Sequence, residues 1–241
     1  FQRIRFRRLA RNFGFDHTSR DEFVAAMPGA SLHYPRQEVP FREPETLPNI
    51  ILLVAESLRW DQLDALTMPN TWQFSQKALR FEQHYSSGNG TREGLFGMFY
   101  GLYGSYWESF MHAGQPPLLM KRMQALQYQL DLRTSASFTY PEFDKTLFTG
   151  VPPTQMHTAD SSLPPWQRDE RNTDELLRFL ESRDPAIPFM EFFFLESTHA
   201  AYSFPEGSTL VQNYQDDVDY TKLSRSQLAD NITPLFNRYR N

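Results

Sequence analysis

Continuous apolar runs are the strongest signal along the chain. Residues 48–59 open at Pro48, run through Ile50-Ile51-Leu52-Leu53-Val54-Ala55 and stop at Glu56. An unbroken β-branched and leucine run bounded by proline and polar residues predicts a buried strand of a parallel sheet. Residues 188–195 repeat the pattern with Phe189-Met190-Glu191-Phe192-Phe193-Phe194-Leu195, and end in Glu196-Ser197-Thr198-His199. Residues 128–135 alternate loosely and predict a third strand, and 81–85 a fourth. Between them lie helical periods. Residues 69–79 start at a proline, which a first helical turn tolerates, and place Trp72 and Leu79 seven apart on one expected apolar face. Residues 95–102 read as helix. Residues 116–127 carry Leu118, Leu119, Met120, Met123 and Leu126 at spacings of three and four, a buried stripe in which the methionines fill core. Asn172-Thr173-Asp174-Glu175 has the form of a capping box and predicts a helix start there, with Leu176, Leu177, Phe179 and Leu180 turned inward. A turn of helix over 61–66 and a helix over 224–239 complete the set. Residues 138–148, 149–168 and 205–222 read as loops, and His157 and Asp160 in the second are expected not to bind metal. Strands alternating with helices predict an α/β fold: a mostly parallel central sheet with helices on both faces, incomplete at the chain's end.

The stretch that carries chemistry is Ser86-Ser87-Gly88-Asn89-Gly90-Thr91-Arg92-Glu93-Gly94. It lies between the strand expected over 81–85 and the helix over 95–102. Gly88 and Gly90 are expected to take positive φ and to bring the backbone close to a ligand. Thr91 falls at the first helical turn, where unpaired N–H groups and the helix dipole favour an anion. A hydroxyl there serves as a helix cap, or as a nucleophile toward a phosphoryl or sulfuryl group if its pKa is lowered. Glu56 ends a core strand, and ligands of open α/β sheets sit at the carboxyl ends of the strands. It suits a metal there; the alternatives are a solvated acid or the cap of the next helix.

Together, the strand ending in Glu56 and the glycine loop before Thr91 resemble the alkaline phosphatase and sulfatase superfamily. The likeness is greatest to its membrane-anchored branch: lipoteichoic acid synthases, phosphoethanolamine transferases and sulfatase-like inner-membrane proteins. It covers residues 48 to 241. The resemblance implies Glu56 as a metal ligand and Thr91 as both nucleophile and metal ligand. It implies His199, Arg92 and Asn89 as substrate-binding residues, and a divalent cation (Zn, Mn or Mg) as cofactor. The implied substrate is a phospholipid or lipid-linked phosphate ester. The implied alternative is an inactive, lipid-binding regulator of envelope lipid synthesis. Arylsulfatase chemistry does not follow, because that group uses a Cys or Ser in a Cys/Ser-x-Pro-x-Arg motif; this chain has no cysteine, and Thr91-Arg92-Glu93-Gly94 departs from it. The branch also carries an Asp-His pair after a later strand; here the pair occurs only as Asp16-His17.

Composition changes this picture little. A chain of 241 residues holds one sizeable core or two small domains. The net charge of −5 gives no reason to expect nucleic acid as a partner. The absence of cysteine excludes disulfides and thiolate metal sites. The first eleven residues, Phe1 to Arg11, form a basic run with interleaved apolar residues and no apolar core behind it. With the resemblance, this reads as a segment beside membrane helices outside this sequence. Residues 1–47, punctuated by prolines and with one short helix over 21–27, read as juxtamembrane segment and linker. Residues 48–241 are then the N-terminal part of a catalytic domain, placed by the resemblance in the periplasm beside a bacterial inner membrane.

Overall fold

The computed structural model describes residues 32–42, 44–200, 202–216 and 225–241, with the backbone alone over 225–231. The basic run and the helix expected over 21–27 lie outside the described residues. Four strands are described: β1 (Ile50–Ala55), β2 (Gln129–Thr134), β3 (Met156–Thr158) and β4 (Phe189–Leu195). They form one sheet in the order β1-β4-β2-β3, and every pair is parallel. The helices are α1 (Pro69–Ser75), α2 (Thr91–Tyr100), α3 (Trp107–Ala113), α4 (Leu118–Ala125), α5 (Pro165–Ser182) and α6 (Arg225–Arg240). The α/β class and the parallel sheet agree with the apolar runs that predict them.

The two faces of the sheet differ in kind. On one, Leu132, Phe192 and Phe194 meet Phe96 and Phe99 of α2, Phe110 of α3 and Met120 of α4 in a dry aromatic core. Rings there pack edge to face: Phe99 lies 5.7 Å from Phe192, and Phe143 5.5 Å from Phe194. Such pairs add roughly 0.5–1.5 kcal/mol each beyond the area they bury. Tyr34 packs on the same core, 4.9 Å from Phe110, so the proline-rich segment is fastened to the domain at that point. On the other face, α5 brings Phe179 against Phe189. Beside that contact lie Asp131, Arg133 and Glu191, all buried. Arg133 grips Asp131 through Nε and Nη2 at 2.9 and 3.1 Å, and His157 Nε2 lies 3.0 Å from Asp131. Burial and the neighbouring Asp131 carboxylate push Glu191 up to about 10, so it is protonated at neutral pH.

Several expectations are corrected. Residues 81–85 form no strand; Phe81 and Tyr85 stand exposed, with no sheet neighbour. The first helix stops at Ser75, and Leu79 is 87% exposed instead of sharing a buried face with Trp72. β1 is an edge strand of the described sheet, so Leu53, on the α5 side, is 59% exposed. The capping box does not start a helix. α5 already begins at Pro165, and Asn172 is buried within it, donating to Ser135 Oγ at 3.2 Å. A proline fits a first helical position, and Asn172 has a tertiary partner in place of a cap. Leu177 faces solvent while Leu176 is buried. Within residues 149–168, read as loop, lies β3, too short to show a period.

Candidate functional site

Glu56 continues the ladder one residue past β1, its N–H donating to Leu195 O at 2.9 Å. Ser57 then takes a left-handed conformation, φ 59°, which for a serine costs roughly 1–2 kcal/mol. The chain turns out of the sheet at once, and the Glu56 carboxylate is left standing on the carboxyl rim. From the neighbouring strand end, Thr198 Oγ1 donates to Glu56 O and ties the two rims together.

Thr91 reaches the same place from α2. Gly90 is the N-cap residue, in extended conformation (φ −128°, ψ 157°), and Thr91 is the first residue of the helix. The Thr91 hydroxyl does not cap that helix; it donates to Glu56 Oε1 at 2.8 Å. The residue ending the first core strand and the residue opening the glycine-flanked helix, 35 positions apart, are in direct contact. The glycines work differently from expectation. Neither Gly88 nor Gly90 has positive φ; among the described residues the glycines that do are Gly101, Gly114, Gly150 and Gly207. A Cβ on Gly88 or on Gly104 would collide with Glu93 Cβ, and one on Gly90 would come within 2.6 Å of Glu93 Oε2. The loop is glycine-rich because it folds over Glu93. Ser87 Oγ donates to the main-chain carbonyl of Glu93 and fixes the loop on the backbone of that residue.

The surroundings of Thr91 form two clefts. One, of ≈ 1080 Å³, is lined by Glu56, Asn89 and Thr91 together with the apolar Leu58, Met98 and Leu102 and by Tyr103. The other, of ≈ 280 Å³, brings Glu56, Thr91 and Arg92 together with Tyr140, Glu196 and His199. His199 follows β4 as expected and is exposed at the cleft wall. Its Nδ1 lies 2.9 Å from Ala200 O. A carbonyl only accepts, so Nδ1 carries the proton and, in the neutral ring, Nε2 keeps a lone pair. Asn89 and Arg92, the other two expected substrate residues, therefore line different clefts that meet at Thr91.

Arg92 is not an unengaged cation. Glu142 takes its Nε at 2.7 Å and its Nη2 at 2.8 Å, and its guanidinium lies 5.1 Å from the centre of the Tyr140 ring. The hydrogen bond to Glu142 raises the Arg92 pKa further. Glu142 sits in the loop over 138–148, whose acids could touch substrate but do not stand out by sequence, because loops are usually polar. Glu196 is a second acid at the rim. Burial pushes its carboxyl up, while Arg168, 2.8 Å away, pulls it down. Asp169 holds the turn that carries it, accepting the N–H groups of Glu196 at 2.9 Å and Ser197 at 2.8 Å. The only signal for Glu196 in the sequence is its place at a strand end; nothing local marks Glu142, Arg168 or Asp169.

Glu56 and Thr91 offer two oxygens of the kind hard divalent cations take. Among the described residues there is no group of three or more His, Cys, Asp or Glu placed to hold a metal. The donor set shown is thus partial. No helix among the described residues is long and apolar enough to cross a membrane.

Comparison with known proteins bears on the family and the fold. The sulfatase family model matches residues 48–235. An uncharacterised protein of Haemophilus influenzae is 24% identical over 178 residues, which span 74% of this chain and 30% of that protein. The inner membrane protein YejM of Salmonella typhimurium is 29% identical over 119 residues, spanning 49% of this chain and 20% of YejM. Among solved structures, a protein of the alkaline phosphatase superfamily from Vibrio parahaemolyticus superposes with a TM-score of 0.53 at 17% identity. That match covers 80% of this chain and 48% of the other, and it shows a shared fold. The matched region is less than a third of either curated relative's length.

Proposed function

The chain belongs to the sulfatase family, within the alkaline phosphatase superfamily, and on that premise we propose that Thr91 is the nucleophile of a hydrolase or phosphotransferase acting on phosphate (or sulfate) esters. The observation that carries this reading is the 2.8 Å hydrogen bond from Thr91 Oγ1 to Glu56 Oε1 at the carboxyl rim of the sheet. Glu56 orients the hydroxyl and withdraws it from capping the helix. Members of the superfamily typically use divalent metals. A cation bound here, with Glu56 and Thr91 among its oxygen donors, would supply the charge that acidifies the hydroxyl.

The rest of the work falls to the chain's own residues. Thr91 Oγ1 forms a bond to phosphorus, the bond to the leaving oxygen breaks, and a Thr91 phosphoester remains for water or an acceptor hydroxyl to resolve. The N–H groups at the start of α2 and the Arg92 guanidinium face the transferred oxygens. His199, when its ring is protonated on both nitrogens, suits a contact from Nε2–H to the phosphate or a proton transfer to the leaving oxygen. The larger cleft, lined by polar groups and by the apolar Leu58, Met98 and Leu102, suits a lipid with its head group at Thr91 and its chain against the apolar residues. The likeness to YejM, an inner membrane protein, supports the reading that the full protein sits at an inner membrane, and the periplasmic side is our proposal for this domain.

Thr91→Ala in the full-length protein removes a covalent, ³²P-labelled intermediate formed from a phospholipid substrate; labelling that persists rules Thr91 out. The same cleft supports a second reading, a lipid-binding regulator without turnover. In that case wild type is never labelled, and Thr91→Ala leaves lipid binding unchanged.

A further inference from the structure

We propose that Glu142 is a positioning residue for Arg92, fixing the guanidinium so that its Nη1 side serves as the donor for an anionic oxygen bound beside Thr91. This rests on the reading of the cleft as a phosphate-ester site. The first support is the choice of edge. Glu142 occupies Nε and Nη2. Nη1 carries no hydrogen bond among the described residues, although Arg92 lines the cleft with Thr91 and His199. A guanidinium has two usable edges, and a carboxylate on one leaves the other pre-aimed.

The second support is that the grip is itself held. Glu142 lies in the left-handed region, φ 44° and ψ 43°, a conformation that costs a residue with a Cβ roughly 1–3 kcal/mol and persists only where its surroundings impose it. Thr146 Oγ1 donates to Glu142 O at 2.7 Å, and Thr146 is fully buried. Phe143, the next residue, is also fully buried against Phe192 and Phe194. The Glu142 backbone is therefore anchored in the aromatic core, and its carboxylate is aimed outward from a rigid base. The third support is Tyr140, whose ring flanks the guanidinium and limits its rotation. An arginine held on one edge and one face pays little further ordering entropy when an anion arrives.

The pair has two other possible roles, and each gives a different result. If it only ties α2 to the 138–148 loop, Glu142→Gln lowers the melting temperature and leaves anion affinity unchanged. If Glu142 competes with the anion for Arg92, Glu142→Gln tightens binding. If Glu142 positions Arg92, Glu142→Gln weakens binding about tenfold, as expected when a donor is misaligned.

The experiment is calorimetric titration of the full-length protein with orthovanadate, for wild type, Glu142→Gln, Arg92→Ala and the double variant, with melting temperatures recorded for each. The expected result is weaker binding in both single variants and no further loss in the double variant, because Glu142 acts through Arg92. Unchanged or tighter vanadate binding in folded Glu142→Gln overturns the proposal, as does a loss in the double variant equal to the sum of the single losses. Thr91 labelling separates this from the underlying reading. Labelled wild type with vanadate affinity insensitive to Glu142 refutes the positioning role alone. Unlabelled wild type with a Glu142-dependent vanadate site refutes the nucleophile and leaves the anion site standing.

Discussion

Two arginine forks in one molecule invite comparison. Arg92 is gripped by Glu142, and Arg133 by Asp131, each through Nε and Nη2. Each sits near a second acid and a histidine: Glu196 and His199 in one case, Glu191 and His157 in the other. The side-chain inventories are nearly the same, but the settings are opposite. Arg92 and Glu142 are 26% and 22% exposed, at the mouth of a cleft on the carboxyl rim; Arg133 and Asp131 are 9% and 5% exposed, in mid-strand beneath α5. The first group can meet a ligand. The second is turned inward: Asp131, Arg133 and Glu191 are buried, and of its members His157 alone reaches solvent, its side chain 43% exposed. Residue types alone therefore do not make a site; their position along the strand decides whether the charges are offered or sealed.

The comparison is broken most severely by removing one arginine at a time. Arg133→Ala leaves Asp131 buried without its partner and is expected to lower stability by about 3–5 kcal/mol. Arg92→Ala is expected to cost about 1 kcal/mol or less, because its pair is partly solvated. Urea denaturation of both variants checks the contrast; equal losses would show that the two forks do not differ in kind.

Glu191 sharpens it next. Its folded-state value, about 10, lies above that of a free glutamate, so folding takes up a proton. The stability this group confers is fully present below the ordinary glutamate range and is lost as pH rises toward 10. At pH 7 the unfolded chain has already gained about 3–4 kcal/mol by ionising, at about 1.4 kcal/mol per pH unit above the ordinary value of 4.5. Glu191→Gln, which imitates the protonated acid, is expected to raise stability at pH 7 by about that amount and to flatten its decline between about pH 5 and 10. A set of denaturation curves across that range tests it.

The smallest effect belongs to the cleft. Thr91→Val deletes the hydroxyl that Glu56 accepts but keeps the side-chain shape, and is expected to change stability by only about 1 kcal/mol. Chemical denaturation measures this, and a loss several times larger would mean that the contact holds the fold.

How far these features were legible depends on the range of the interaction behind them. β1, β2 and β4 are visible because a core strand needs six or seven apolar or alternating residues in a row, which no loop imitates. The Glu56–Thr91 contact is visible because Glu56 ends such a strand and Thr91 opens a glycine-flanked helix, a pair of motifs whose family resemblance implies a shared rim. The alternating run over 81–85 looks like a strand, but β-propensity measures fit to a half-buried surface, and no neighbouring strand is there to provide one. Glu142 was out of reach because its partner lies 50 positions away and its backbone conformation is imposed by Thr146 and Phe143. Asn172 misled because a buried tertiary hydrogen bond and a helix cap draw on the same residue types.

The folding of residues 86–90 over Glu93 has a consequence for how this loop tolerates change. The turn is shaped like a cast around one side chain, with absent methyl groups at Gly88, Gly90 and Gly104 marking where the mould lies. Variation should therefore come in matched sets. A side chain at Gly90 would meet only the carboxylate end of Glu93 and calls for a shorter residue there, whereas Gly88 and Gly104 close on the Cβ of residue 93 itself and admit nothing larger without a backbone shift. A shorter residue at 93 leaves a hollow into which the backbone before Thr91 can sag, drawing the hydroxyl away from Glu56 without any change to either of them.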